Sequence, residues 1–314
     1  MTNAPDSANR PSRVIGYLFA LGAGATWGTT GPLSTGLYNL MPATSIGFWR
    51  VLIGTIALAI WGVLFRRDLF RADAKGWLIV GLGGGAMVAL FEIAYQFAIA
   101  GVGVAGAAAL LYTAPIIVAV LARLVLKEAL TPTRVALALL VMIGVALTVT
   151  GGSNAGAEAA RMGLTAGVAG GLLSALSYAL TSLMGRWAAP RYGVVKVLFL
   201  EAIGGVVLIW IALAIWGGGR IPGLPPSAAA LRGLLGLAAG SVIAANLLFF
   251  GAMKRIEAAP ASVAATIEPV VGALLALLLF SQHLTTLGWL GLFMVVIGVA
   301  AGYLLEGLRR QPEL

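Results

Sequence analysis

Long apolar runs follow one another along almost the whole chain, and they constrain its fold more than any other feature. A helix needs about 20 mostly apolar residues to cross the hydrocarbon core of a membrane. Backbone polar groups inside lipid must be bonded within the chain, and the alternating pattern of barrel strands is absent here. The sequence therefore predicts an all-α integral membrane protein with ten transmembrane helices. The predicted helices cover residues 14–35, 43–65, 76–99, 103–126, 133–151, 163–186, 194–216, 228–252, 259–281 and 286–306.

The composition argues against the soluble protein classes. Of the 314 residues, 60% are apolar and 10% are charged, whereas a soluble domain is about 45–50% apolar and about 25% charged. In so apolar a chain, the net charge of +9 indicates basic loops that face anionic lipid, not a nucleic-acid partner. There is no cysteine, and the one histidine, His283, lies in a short loop. The sequence therefore predicts no metal site and no cofactor.

Lysine and arginine are distributed unequally between the two sides of the predicted helices. Sixteen lie on one side, three on the other, and Arg50 lies inside a predicted helix. Cytoplasmic loops are enriched in these residues, so both termini are expected in the cytoplasm, with the chain in a bacterial-type inner membrane. The predicted parts are a tail (1–13), a five-helix unit (14–151), an outer linker (152–162), a second five-helix unit (163–306) and a tail (307–314).

An internal repeat relates the two five-helix units. At an offset of 154 residues, 15 of the 55 positions from Glu92 to Ala146 are identical to their partners, including Pro115 and Pro269. Nearer the N-terminus the offset is 151, which pairs Trp27 with Tyr178. Because five is an odd number of crossings, the second unit must be inverted relative to the first. Inverted repeats are typical of secondary transporters with a substrate site near the midplane, although channels also contain them.

Three segments resemble a known family. The Trp27-Gly28 pair, ALLYTAPIIVAVLARLVLKEAL in the fourth predicted helix and SVAATIEPVVGALLALLLF in the ninth are similar to EamA-type repeats. These define ten-helix carriers of the drug/metabolite transporter superfamily, and the resemblance covers residues 14–306. Within the superfamily the chain is most similar to YddG-type exporters of aromatic amino acids. The second-half family acid is replaced by Gln282, opposite Glu128, so Glu128 is expected to serve a helix boundary.

Four ionisable residues lie away from the ends of the predicted helices, at membrane depth, where charge is costly unless it faces the bundle interior or a wet cavity. Arg50 and Glu201 occupy equivalent repeat positions, so they could pair with each other or each pair locally. Glu92 is equivalent to Asn246, so both repeats keep a polar residue there.

The fourth ionisable residue, Glu268, directly precedes Pro269. Proline lacks a backbone donor and leaves a carbonyl free one turn earlier, near Ala265. A helix broken in this way beside a cavity is a candidate ligand or proton site.

Aromatic rings well inside the predicted helices complete the candidate site, because Trp and Tyr otherwise collect at the membrane interface. Such rings can pack on an apolar side chain, while a carboxylate of the site meets the substrate's ammonium group. The alternative for the hydroxyl residues is hydrogen bonding between helices. The predicted substrate-binding residues are Trp27, Glu92, Tyr95, Tyr112, Ser177, Tyr178, Asn246 and Glu268.

The resemblance implies a secondary transporter that exports small neutral metabolites, with aromatic and large neutral amino acids as the expected substrates, by alternating access. The residues of the candidate site are compatible with such substrates. The glycine-rich GLGGG at 81–85 has no following lysine, so no nucleotide-binding loop and no ATPase subunit are expected. No acid, base and nucleophile cluster together, so the chain is not expected to be an enzyme. Nucleobase, drug or other metabolite export and a passive channel remain alternatives, as do proton coupling and facilitated diffusion and the oligomeric state.

Overall fold

The computed structural model describes residues 10–38, 40–150, 164–216, 223–280 and 285–308. The predicted outer linker, His283 and Gln282 lie outside these residues, as do most of the two predicted tails. Within the described residues, every regular element is helical.

Helices of the first half run from α1 to α6, with one 3₁₀ turn and one π-helical stretch between them. They are α1 (Arg10–Gly28), α2 (Thr30–Tyr38), α3 (Ala43–Phe65), the 3₁₀ turn (Arg67–Phe70), π-segment 1 (Gly76–Gly84), α4 (Gly85–Leu111), α5 (Ala114–Val125) and α6 (Pro132–Thr150). The second half contains α7 (Leu164–Tyr192), α8 (Val194–Trp216), α9 (Ala228–Leu237), π-segment 2 (Ala238–Ala244), α10 (Ala245–Met253), α11 (Ala258–Ala265), α12 (Glu268–Phe280) and α13 (Thr286–Leu308).

Six helical stretches of the described residues are long and apolar enough to cross a membrane. They are Thr44–Phe65, Gly76–Tyr95, Thr165–Tyr192, Val194–Ile215, Ala228–Met253 and Ala258–Leu279. Three apolar helices are shorter: Ala114–Val125, Pro132–Thr148 and Thr286–Gly302. The multi-pass, all-helical class is therefore confirmed, whereas the number ten stays a prediction.

Helix α4 is continuous from Gly85 to Leu111, where the sequence predicts parts of two separate helices. Gly170 of α7 lies against Ala94 and Ala98, while the adjacent Gly171 lies against Leu110. A straight helix would separate residues 98 and 110 by about 18 Å. Helix α4 is therefore not straight between Ala98 and Leu110.

Two helices are interrupted at equivalent positions of the repeat. Tyr112 and Thr113 separate α4 from α5, and Thr266 and Ile267 separate α11 from α12. Each interruption is followed by a proline that cannot donate to the preceding turn. The break predicted ahead of Pro269 is thus present, and it places Glu268 at the first turn of α12.

The two halves interlock. Helix α1 of the first half packs against α10, α11 and α12 of the second, and α7 of the second half packs against α4 and α5 of the first. Close approach is possible because Gly24 and Gly28 of α1 lie against the backbone carbonyl groups of Ala265 and Glu268. The broken helix is therefore held against α1, and the side chains near the break converge from both halves.

Helix α8 crosses π-segment 1 and the start of α4 with glycine on both sides. Gly204 contacts the carbonyl oxygen of Gly81 and lies against Gly85, so even a methyl group at position 204 would meet backbone. We expect Gly204→Ala to destabilise the protein by about 1–3 kcal/mol, as overpacking does elsewhere. Gly236→Ala on α9, where open space surrounds the position, is the control. Unfolding in mixed detergent micelles compares the two variants, and equal stability would contradict this account.

Candidate functional site

Three aromatic rings from both halves form a cluster in the interior of the bundle. Trp27 lies 5.1 Å from Phe249 and 6.1 Å from Tyr178 between ring centroids, both in edge-to-face arrangement, and Tyr178 lies 5.5 Å from Phe249. Edge-to-face packing aligns the positive ring edge with the negative ring face. The cluster therefore forms a rigid aromatic wall supplied by α1, α7 and α10.

Phe249 was not among the predicted site residues, although the repeat contains the signal that identifies it. The offset of 154 pairs Phe249 with Tyr95, as the offset of 151 pairs Trp27 with Tyr178. A phenylalanine has no polar group, so nothing but this equivalence distinguishes Phe249 from the other apolar residues of its helix.

The indole of Trp27 is fixed by the irregular backbone of π-segment 2. Its Nε1 donates to the carbonyl oxygen of Ser241 at 3.1 Å. Asn246 donates from Nδ2 to the same carbonyl at 3.0 Å and to that of Val242 at 2.9 Å. The side chain of Asn246 thus stabilises the backbone of π-segment 2 to which Trp27 donates, because it donates to the carbonyl groups of Ser241 and Val242.

Beside the aromatic wall, Tyr112 and Glu268 meet at the two helix breaks. The Tyr112 hydroxyl lies within hydrogen-bonding reach of the Glu268 carboxyl group, and Tyr95 and Tyr178 are close enough to act on the same groups electrostatically. Phe91 stacks on Tyr95 with a centroid separation of 5.7 Å. Both breaks therefore contribute a polar side chain to one place.

Arg50 of α3 forms an ion pair with Glu92 of α4. The side chains are 18% and 11% exposed, and Gly47, one turn before Arg50, leaves room for the Glu92 carboxylate. Arg50 also acts electrostatically on Glu268. The option that Arg50 pairs with Glu201 is wrong, because Glu92 from the same half reaches Arg50 instead.

Six of the eight predicted site residues thus belong to one neighbourhood, and two are engaged in helix contacts. The six are Trp27, Glu92, Tyr95, Tyr112, Tyr178 and Glu268. Ser177 is fully buried and donates to the carbonyl oxygen of Met87, which joins α7 to α4, and Asn246 bonds to π-segment 2. Within the described residues, no group of three or more His, Cys, Asp or Glu side chains is placed to hold a metal ion.

A second polar structure joins the two halves at the Lys- and Arg-rich end of the bundle. Glu128, in the loop between α5 and α6, accepts a hydrogen bond from the backbone N–H of Ala258 at 3.1 Å and lies 3.6 Å from Arg186. Arg134 pairs with Glu257, the residue that precedes α11. We call these four side chains the ion clamp. Glu128 does serve a helix boundary, as expected, but the helix is α11 of the other half.

Burial affects the protonation of one member of the ion clamp, Glu128. Burial raises the pKa of the Glu128 carboxyl above its ordinary value, and neighbouring Glu257 adds to this, while Arg186 opposes it. A cavity of about 260 Å³ lies beside the clamp, and Ala119, Arg134, Glu257 and Pro260 are among its lining residues.

The clamp has no charged counterpart at the opposite end of the repeat. At the offset of 154, Gln282 corresponds to Glu128, Gly288 to Arg134 and Gly103 to Glu257. At these three positions the repeat therefore keeps its length but not its charge.

Comparisons with known proteins agree with this architecture. Residues 14–150 and 165–303 each match the EamA-like transporter family, and no curated protein matches the chain. A solved structure described as "Crystal structure of protein" is 18% identical, with a TM-score of 0.76 over 97% of this chain and 100% of its own. That likeness supports the fold alone. Because the family matches both halves, this chain belongs to the EamA-like transporters of the drug/metabolite transporter superfamily.

Proposed function

We propose that this chain is a secondary carrier that exports small neutral metabolites, with aromatic and large neutral amino acids as its substrates. The observation that carries the proposal is the convergence of Glu268, Tyr112 and the Arg50–Glu92 pair beside the Trp27, Tyr178 and Phe249 rings. Family membership supports a membrane transporter of small molecules; the substrate class rests on the chemistry of this site.

The charges suit a zwitterion. An amino acid brings one carboxylate and one ammonium group, and the site offers the guanidinium of Arg50 and the carboxyl of Glu268. A guanidinium binds a carboxylate with parallel hydrogen bonds, and a carboxylate accepts from an ammonium group. A substrate that carries a phosphate would add negative charge beside Glu92 and Glu268, with Arg50 as the sole mid-helix cation of the sequence.

The rings suit an apolar side chain. An aromatic side chain gains from burial against other rings and from edge-to-face contact worth about 0.5–1.5 kcal/mol. Trp27 is held by a hydrogen bond to Ser241 and Phe249 is 1% exposed, so the wall is preorganised. Rocking of one half against the other around this wall would expose it to each side in turn.

Flux from proteoliposomes of the purified protein tests the proposal. Vesicles are loaded with labelled Phe, Trp, Met, Thr or uridine, with and without a pH gradient. Saturable efflux of Phe and Trp that is accelerated by external substrate is expected of a carrier. Flux that does not saturate would indicate a channel, and flux of uridine alone would overturn the substrate class.

Tyr178→Ala removes one ring of the aromatic wall, and we expect it to lower Phe and Trp flux at limiting substrate by about tenfold, the effect of losing about 1.4 kcal/mol. Phe293→Ala is the matched control, because Phe293 is 61% exposed on the outer surface of α13. Unchanged flux in Tyr178→Ala, with expression equal to that of the control, would contradict the placement of the site.

A further inference from the structure

Glu201 is an ionisable residue that the proposed substrate site does not use. It lies on α8, seven residues after the helix begins at Val194, which corresponds to a depth of about 10 Å along the axis. Its side chain is 3% exposed, and its Oε2 atom has no hydrogen-bond partner in the described part of the chain.

The surroundings of Glu201 are apolar. A methyl group built on Gly84 of π-segment 1 would touch both the Cγ atom of Glu201, at 3.4 Å, and the thioether of Met184, at 2.7 Å. The Gly204 crossing with Gly81 and Gly85 lies one turn further along α8. The neighbours that these contacts identify near Glu201 are glycine backbone and a thioether.

Charged groups on the elements packed against α8 are engaged elsewhere or lie at the ends of the helices. In the described part of the chain, no charged side chain forms an ion pair with Glu201. The charged groups on α8 and the elements packed against it have other partners or are exposed. They are Arg50 with Glu92, Arg186 with Glu128, Arg191 with the carbonyl oxygen of Trp187, Lys196 with Asp68, and the exposed Arg67.

An unpaired carboxylate is strongly disfavoured in such a place, because neither water nor a cation replaces its hydration shell. We propose that Glu201 is a proton-binding site, neutral while α8 packs on π-segment 1 and ionised only when that crossing opens. The step is a simple proton exchange: the carboxyl O–H breaks, water entering the opened crossing takes the proton, and the carboxylate remains hydrated.

The close packing of Gly204 on Gly81 couples this proton exchange to a movement of α8. Gly204 packs on the backbone of Gly81 one turn from the buried Glu201, so we expect water to reach this carboxyl group only when α8 moves away from π-segment 1. Proton release and helix separation are therefore linked, and alkaline pH favours the separated state. Use of the proton to drive transport rests on the proposed function, whereas the proton site itself does not.

Infrared spectra of the reconstituted protein test the proton site without transport. At about neutral pH, the difference spectrum of wild type minus Glu201→Gln is expected to contain the C=O stretching band of a protonated carboxyl group. Glu92→Gln is the control, because the ion-paired Glu92 should contribute carboxylate bands. Carboxylate bands alone in the Glu201→Gln difference would overturn the proposal. If Glu201→Gln does not assemble, Glu201→Asp should shift the protonated band, and an unshifted band would overturn it equally.

Thiol labelling tests the link to helix separation. The chain contains no cysteine, so Met184→Cys introduces a single thiol beside Glu201. Its reaction with a water-soluble maleimide should rise with pH beyond the ordinary rise of a free thiol, and this excess should disappear in the Glu201→Gln background. An equal pH response in both backgrounds would overturn the link. Absence of flux for every substrate would contradict the proposed function. The infrared and thiol-labelling experiments would still test the proton site, because neither depends on transport.

Discussion

Replacing Arg50 by methionine is expected to destabilise the protein by about 3–5 kcal/mol, the usual cost of removing one partner from a buried ion pair. Glu92 would keep its charge in a position that is 11% exposed, with its partner gone. Methionine roughly preserves the volume of the arginine stem, so the loss reflects charge and not a cavity. Unfolding in mixed detergent micelles, followed by tryptophan fluorescence, measures the change.

The double variant separates an unpaired charge from lost packing. Adding Glu92→Gln to Arg50→Met neutralises the remaining carboxylate and should restore most of the lost stability. Glu92→Gln alone should cost less than Arg50→Met, because Arg50 keeps the electrostatic influence of Glu268. If the double variant is as unstable as Arg50→Met, the ion pair does not explain the effect.

Removing the acceptor of the ion clamp is expected to open the Lys- and Arg-rich end of the bundle. Glu128→Ala leaves the N–H of Ala258 and the guanidinium of Arg186 without this carboxylate. A hydrogen bond to a charged group contributes about 1.5–3 kcal/mol, so the loss of the bond from Ala258 should shift the balance by about tenfold or more toward the open state. Glu128→Gln is the matched control, since its amide oxygen still accepts from Ala258.

Accessibility of the cavity beside the clamp reports the opening. Ala119 is 5% exposed and lines that cavity, and Ala119→Cys would introduce the only thiol of the chain. Maleimide labelling should be about tenfold faster in the Glu128→Ala background and near the parent rate in the Glu128→Gln background. Equal labelling in all three backgrounds would show that the clamp does not close this end.

The clamp should also respond to pH in a defined direction. Burial raises the pKa of Glu128 in the closed clamp, whereas an opened, hydrated Glu128 has the ordinary value. The closed form therefore binds the proton more tightly, and this contribution is fully present below the ordinary pKa. This contribution of Glu128 to the closed form is lost as the pH rises through the raised pKa. Labelling of Ala119→Cys, corrected for thiol ionisation, should increase across that window and lose the dependence in Glu128→Gln; a change of opposite sign would contradict the assignment.

The sequence by itself determined the class of this protein. Apolar runs of membrane length predict helices because lipid offers the backbone no hydrogen-bond partners. Pro269 predicts an interruption because it lacks a backbone donor, and that interruption is present. These properties are local, so a single segment is enough to reveal them.

The sequence also pointed to most of the candidate site. Trp27, Tyr95, Tyr112, Tyr178, Glu92 and Glu268 were identified as costly or unusual residues inside predicted helices, and the structure gathers them. The missed Phe249 is apolar and therefore unremarkable in lipid, and only its ring contacts with Trp27 and Tyr178 reveal its place.

Tertiary structure alone decided the partners. Equivalent repeat positions suggested Arg50 with Glu201, but the contact is Arg50 with Glu92, and Glu201 stays beside a glycine crossing. It likewise decided that Glu128 reaches α11 of the other half and that Asn246 donates to the backbone of π-segment 2. A hydrogen bond or ion pair depends on distances of a few ångströms between helices far apart in the chain. Helix periodicity reports which residues share a face of one helix, whereas the rotation and depth of its neighbour are set by the packing of all the helices together.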